Sequence, residues 1–306
     1  MTRVAAVDCG TNSIRLLVAD VDNGELCDLD RRMEIVRLGQ GVDRTGRIAP
    51  EALRRTLAAL EIYARRIREL DASRVRMVAT SATRDAANRS DFVEGVVTTL
   101  GVEPEVISGA EEAALSYDGA TRELRYGNAQ APYLVVDIGG GSTEFVLGND
   151  DGVIAARSVD IGCVRMTERR FASDPPTATE VDAARADIEA AIDVAATDVA
   201  LERARTVCAV AGTATTVAGM ALGLPAYDAA AIHRARVKVG EVRRISDELL
   251  AMTHEQRAAI PVMHPGRVDV IAAGALVLRA VVERANVDEI VASEHDILDG
   301  IAWSLA

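Results

Sequence analysis

Residues 133–147 read YLVVDIGGGSTEFVL. A strand-prone run delivers Asp137 to a turn of Gly139, Gly140 and Gly141, after which Ser142, Thr143 and Glu144 open a second apolar run. The pattern predicts a β-hairpin with chemistry at its tip. Three successive glycines permit positive φ and can gather several N–H groups at one point, a concavity that suits a phosphoryl oxygen. Asp137 and Glu144 flank it, and two carboxylates there are what a phosphate-bound divalent cation requires. A plain glycine-rich turn would need no acid on either side.

The same hairpin occurs earlier. VAAVDCGTNSIRLLV, from Val4, matches the later stretch at a constant offset of 129, pairing Asp8 with Asp137, Gly10 with Gly139, Ser13 with Ser142 and Arg15 with Glu144. One supersecondary unit has been used twice. Where the second copy carries an acid the first carries a base, so two tips facing each other would offer one anion a cation-binding and an anion-binding side.

The 306 residues suffice for two ordinary domains, and a chain 49% hydrophobic and 26% charged is expected to be globular. No leader-like segment precedes the first strand and no apolar run reaches membrane-span length, so a cytoplasmic protein without membrane contact is expected. Net charge is −13 and Lys238 is the only lysine, which argues against general nucleic-acid binding. A polyanionic substrate must then be attracted locally, by a few arginines, helix N-termini and a metal. Cys9, Cys27, Cys163 and Cys208 lack metal-type spacing and read as buried thiols. His233 reads as a hydrogen-bonded structural histidine rather than a catalyst, and His254 and His264 are likewise single, with no partner at metal spacing.

Along the chain, a third strand is expected over 26–38 and a helix over 51–70, with Pro50 at its start and Leu53, Leu57, Leu60 and Ala64 on one face. A short strand over 75–80 leads to Thr80 or Ser81 as helix cap and leaves Arg84 in the first turn, where a cation is misplaced unless it meets an anion. After a strand over 102–107, Ser108 and Glu111 have capping-box spacing, which assigns Glu111 to the backbone. Glu112 then borders the helix's buried stripe, as either a general base or a surface glutamate. The polar run 125–132 reads as the junction of halves 1–126 and 127–306. In the second half, Gly212 and Thr213 open a helix after a strand, and Arg267 precedes an apolar helix as awkwardly as Arg84. A last strand over 290–292 and a closing helix over 295–305 complete the pattern.

Taken together, Asp8-Cys-Gly-Thr-Asn-Ser-Ile-Arg15, Ser108-Gly-Ala-Glu-Glu112 and Asp137-Ile-Gly-Gly-Gly-Ser-Thr-Glu144 resemble the exopolyphosphatase and guanosine pentaphosphate phosphohydrolase (Ppx/GppA) family. The segments 80–84, 212–213, 264–267 and 296–300 follow in family order. The resemblance implies an α/β fold of the actin, sugar kinase and heat-shock ATPase (ribonuclease H-like) type, with two duplicated mixed-sheet domains, a cleft between them, and the closing helix packed back on the first. It implies Glu112 as catalytic base, Asp137 and Glu144 as metal and water-positioning acids, and Asp8 as an acid reaching the metal through water. Asn12, Ser13, Arg15, Gly139, Gly140, Gly141, Ser142, Thr143 and Arg267 match phosphate-holding positions, joined by Arg84, Gly212 and Thr213 from the reading above. Mg²⁺ is the implied cofactor, with Mn²⁺ as second choice, and inorganic polyphosphate the implied substrate. Guanosine pentaphosphate is the rival substrate, and a sensor that binds without turnover is the rival class. Longer relatives carry a further C-terminal helical region, so a preference for short polymer is expected here, and a homodimer is expected from size.

Overall fold

In the computed structural model, which describes residues 2–22, 25–124 and 128–306, both expected hairpins form. The chain divides into two units, Met1–Gly119 with Ile297–Ala306, and Ala120–Asp296. It therefore passes from one to the other at 119/120 and again at 296/297. The junction expected at 126/127 lies outside the described residues.

The first unit runs β1 (Thr2–Cys9), β2 (Ser13–Asp22), β3 (Glu25–Ile35), α1 (Val42–Thr45), α2 (Pro50–Glu69), β4 (Arg74–Ala79), α3 (Ser81–Asp85), α4 (Arg89–Leu100), β5 (Glu105–Val106) and α5 (Gly109–Thr121). Its sheet has the order β3-β2-β1-β4-β5, antiparallel among the first three strands and parallel from β1 through β4 to β5. Side chains of β1 alternate between faces, as strand geometry dictates. Ala5, Val7 and Cys9 join Leu60, Tyr63 and Ile67 of α2 on one side, while Val4 and Ala6 join Ile297, Leu298, Ile301 and Ala302 of the chain's last helix on the other. Burial on both faces explains why residues 4–7 are apolar without interruption. The Tyr63 hydroxyl donates to the Ile14 carbonyl at 3.0 Å, satisfying a buried polar group. The strand expected over 102–107 shrinks to two residues. Pro104, which has no N–H to donate, stands immediately before it.

The second unit runs β6 (Tyr133–Ile138), β7 (Thr143–Asn149), β8 (Gly152–Val159), α6 (Cys163–Arg170), α7 (Ala178–Ala196), β9 (Thr206–Val210), α8 (Ala211–Ala221), α9 (Ala229–Ile232), β10 (Arg236–Lys238), α10 (Val239–Ala251), α11 (His254–Ala258), α12 (Ile271–Ala285) and β11 (Glu289–Ala292). Its sheet order is β10-β11-β9-β6-β7-β8. Read from the other edge, β8-β7-β6-β9-β11 repeats β3-β2-β1-β4-β5, with β10 added antiparallel outside β11. The duplication is one of register as well as order. Asp8 faces Arg15 in the first hairpin and Asp137 faces Glu144 in the second, and in each sheet the next strand in is parallel, with Asp8 beside Val78 and Asp137 beside Val210. Thr177 and Glu180 form a full capping box at the start of α7. Helix α12 is apolar on most of its surface and buried accordingly, among Leu134, Phe145 and Ile188 in one core.

The chain closes with α13 (Ile297–Trp303), part of the first unit. Among the described residues no helix is long and apolar enough to cross a membrane. Three of the four cysteines are buried as expected; Cys27 is exposed, because it lies on the edge strand β3, whose outer face meets solvent.

Gly300 of α13 lies against the main chain of α5, where a Cβ would come 2.0 Å from the Leu115 carbonyl oxygen. Helix propensity alone predicts that Gly300→Ala stabilises by about 1 kcal/mol. The contact reverses the sign: urea denaturation should show a loss of about 1–3 kcal/mol.

Candidate active site

In the first unit, the tip between β1 and β2 is pinned by its carbonyls. Gly10 N–H donates to Ser13 O at 2.9 Å; Asn12 O accepts from Val36 and Arg37 N–H, and Thr11 O from Gly39 N–H. A trans peptide sets each N–H opposite the preceding carbonyl, so the Asn12 and Ser13 N–H groups point away from the 36–39 segment. Thr11 Oγ1, Asn12 Oδ1 and Thr83 Oγ1 are buried without a hydrogen-bond partner, polar capacity that a bound ligand or water would use. Asp8 and Arg15, opposite each other in the hairpin, form an ion pair in which Arg15 Nε (2.9 Å) and Nη2 (2.7 Å) both donate to Asp8 Oδ2.

Glu112 sits in the first turn of α5, buried. Arg84 Nη1 donates to its Oε2 at 3.0 Å and to the Ile107 carbonyl at 3.0 Å, and the Thr80 hydroxyl bonds the same carboxylate. Burial pushes the Glu112 carboxyl up to about 7; Asp8 adds to the rise, while Arg84 and Thr80 oppose it. Arg84, expected to meet an anion at a helix start, here meets the carboxylate of Glu112. Thr80 precedes α3 without capping it by its side chain, since its hydroxyl serves Glu112 instead. The capping box at α5 is half formed: Ser108 Oγ accepts from Glu111 N–H at 3.2 Å, but the Glu111 carboxylate accepts from Arg76 Nη2 at 3.0 Å. Of the two adjacent glutamates, Glu111 is thus the outward one and Glu112 the buried one.

In the second unit, the glycine tip repeats the first, with Gly139 N–H donating to Ser142 O at 3.0 Å. Its carbonyls are taken by the start of α6: Gly139 O by Cys163 N–H, Gly140 O by Val164 and Arg165 N–H, and Gly141 O by Arg165 Nε at 2.7 Å. By the same peptide geometry the N–H groups of Gly140, Gly141 and Ser142 point away from α6, together. The expected positive φ is not how this is done, since none of the three glycines has one. The close approach falls on the neighbouring glycine: a Cβ on Gly162 would lie 2.3 Å from Gly140 C and O. Asp137 and Glu144 are both buried, and Ser158, opposite Glu144 on β8, donates to its Oε1 at 2.7 Å. Thr143 Oγ1 donates to the Ile161 carbonyl.

Helix α8 starts directly from β9 with Ala211 at φ +64° and no side-chain cap. The first N–H groups of a helix lack partners within it, which makes such an end a ready anion site. The Arg267 guanidinium lies on Gly212, where a Cβ would come 2.3 Å from Cζ, and its Nη1 is 3.4 Å from Thr216 Oγ1. Thr213 is buried, with Gly274 of α12 leaving room for its hydroxyl. Arg267 belongs to a short 3₁₀ turn, Pro265–Arg267, in which His264 Nδ1 accepts from Gly266 N–H; α12 begins only at Ile271. Arg267 is therefore not in the first turn of α12.

Over residues 17–306 the chain matches the description of the Ppx/GppA phosphatase family. The chain belongs to that family. It is similar to Exopolyphosphatase 2 of Mycobacterium tuberculosis, 54% identical over 319 residues covering 100% of this chain and 99% of that protein. A guanosine-5'-triphosphate,3'-diphosphate pyrophosphatase of Vibrio atlanticus is 34% identical over 193 residues, 62% of this chain and 38% of its own length. The crystal structure of an exopolyphosphatase-like protein superimposes with a TM-score of 0.96 at 44% identity, covering 99% of this chain and 97% of that one.

Sequence reading missed the residues that hold this Ppx/GppA member's candidate groups: Thr80 on Glu112, Ser158 on Glu144, Arg165 on the glycine loop. Ser158 alone had a local signal, its place on the next strand. His233 is hydrogen-bonded, as expected, but its partners could not be named from sequence: it meets His295 at Glu123, and His254 Nε2 pairs with Asp269 at 3.0 Å, contacts made across the fold and invisible to spacing.

Ala211 holds a left-handed conformation that costs a non-glycine residue about 1–2 kcal/mol. Ala211→Gly should raise the stability of the chain by about 1 kcal/mol in chemical denaturation.

Proposed function

We propose that the chain is an exopolyphosphatase, hydrolysing the terminal phosphoanhydride of inorganic polyphosphate and releasing orthophosphate. The observation that carries this is Glu112, a carboxylate lifted to about 7 by burial while Arg84 and Thr80 fix its direction. A base titrating near neutral pH can take a proton from water and still be found ionised. Glu112 deprotonates a water that attacks the terminal phosphorus as the bond from phosphorus to the bridging oxygen breaks, and the shortened chain leaves on that oxygen. In each unit the N–H groups of the hairpin tip, and in the second unit also the start of α8 and Arg267, suit phosphoryl oxygens.

Asp137 and Glu144 suit a Mg²⁺ or Mn²⁺ ion, because they are two buried carboxylates facing each other across a strand pair and offer only oxygen donors. When bound, such an ion would neutralise charge on the phosphoryl oxygens. Asp8 is a weaker candidate, since its counterpart across the hairpin is Arg15, which already neutralises it. Burial pushes the thiols of Cys163 and Cys208 up to about 11 and about 12, and Cys9 higher still, so none is a competent thiolate, which favours direct attack by water.

A second substrate, guanosine pentaphosphate, is supported by Tyr227. The residue is 41% exposed, and its hydroxyl donates to Glu294 Oε1 at 2.6 Å within reach of Thr215 and in the field of Arg267, an aromatic surface near a helix start that suits an anion.

Orthophosphate release from short polyphosphate with Mg²⁺ tests the assignment. Glu112→Gln should lower kcat by about 10²–10⁴-fold while Glu111→Gln stays near wild type; the reverse pattern would exchange the roles, and binding without release in the wild type would make the protein a sensor. Guanosine pentaphosphate added as competitor ranks the two substrates. The pH profile supplies a further check. Activity needs the ionised carboxylate, so it should rise with pH through about 7. Arg84 opposes the upward shift, so Arg84→Gln should move that limb to higher pH.

A further inference from the structure

Three side chains of the second unit that take no part in the chemistry above converge from distant positions. His233 Nε2 is 2.7 Å from Glu123 Oε2, His295 Nδ1 is 3.4 Å from Glu123 Oε1, and the two imidazole centroids are 4.5 Å apart. One donor atom from each residue lies within 4.8 Å of the other two. His295 Nδ1 is buried and has no hydrogen-bond partner. Ligands of a tetrahedral ion at ordinary metal–nitrogen and metal–oxygen lengths lie about 3.3 Å apart, so these groups need to move little to share one.

We propose that Glu123, His233 and His295 form a binding site for a transition-metal ion of the Zn²⁺ class. Two imidazoles and one carboxylate suit Zn²⁺, Co²⁺ or Ni²⁺ and are a poor set for Mg²⁺, which prefers oxygen. The site is thus chemically distinct from the carboxylate pair of Asp137 and Glu144. Glu294 N–H donates to His233 Nδ1 at 3.2 Å, which puts the proton of the neutral metal-free ring on Nε2, facing Glu123. The ion takes the place of that proton, so binding weakens as the pH falls.

The position has a structural consequence. Glu123 follows the first passage of the chain between units, at 119/120, and His295 precedes the second, at 296/297. An ion held by both residues and His233 ties the two connecting segments together within the second unit.

The test is Zn²⁺ binding by calorimetry to the full chain, carrying Cys27→Ser to remove an exposed thiol and with Mg²⁺ in excess, together with the visible spectrum of the Co²⁺-loaded protein. The expected result is one ion per chain, ligand-field bands with Co²⁺, and binding weakened more than about tenfold by His295→Ala or Glu123→Gln but unaffected by Asp137→Asn. The Co²⁺ spectrum decides even where a variant fails to fold. Absence of binding or of the bands, binding equally tight in His295→Ala and Glu123→Gln, or its loss in Asp137→Asn would overturn the proposal.

Discussion

A carboxylate taken out of water is protonated unless something favours its charge, and the first unit is built around one held at that balance point. Burial drives Glu112 toward the neutral acid; Arg84 and Thr80 pull it back. Thr80 stands in the turn after β4 and Arg84 in α3 directly behind it, and Arg84 is itself anchored to the Ile107 carbonyl just before α5. The sheet order that sets β4 beside β1 therefore also sets the proton affinity of a side chain on α5. Fold and chemistry meet in one ion pair.

Duplication supplies the rest. Two hairpins with the same register differ in one decisive residue, so the same backbone site is used for opposite purposes. Asp8 faces an arginine and is neutralised locally; Asp137 faces Glu144, and like charges placed opposite each other across a strand pair repel. Both tips turn their carbonyls into the fold, the first toward 36–39 and the second toward the start of α6, so both leave N–H groups on the opposite side. Glycine at 162 is required by the closeness of the Gly140 main chain and not by a left-handed turn.

The duplicated hairpins, their acids and the place of Glu112 at the border of the buried face of α5 were legible in sequence because each depends on residues a few positions apart. Period-two alternation and capping-box spacing act over that range. What could not be read involves partners far along the chain. Arg76 draws Glu111 away from its capping role across 35 positions, Arg84 finds Glu112 across 28, and Glu123 finds His233 across 110. Ser158 is intermediate, one hairpin beyond its partner. Strand length at β5 was misjudged because alternation was read through Pro104, which cannot donate to a ladder.

The account stands or falls on the proton affinity of Glu112. Carbon-13 NMR of the glutamate carboxyl carbons, with the Glu112 signal assigned by its loss in Glu112→Gln, follows that single group through a pH titration. The account predicts a midpoint at about 7; a midpoint at the ordinary glutamate value of 4.5 would contradict it.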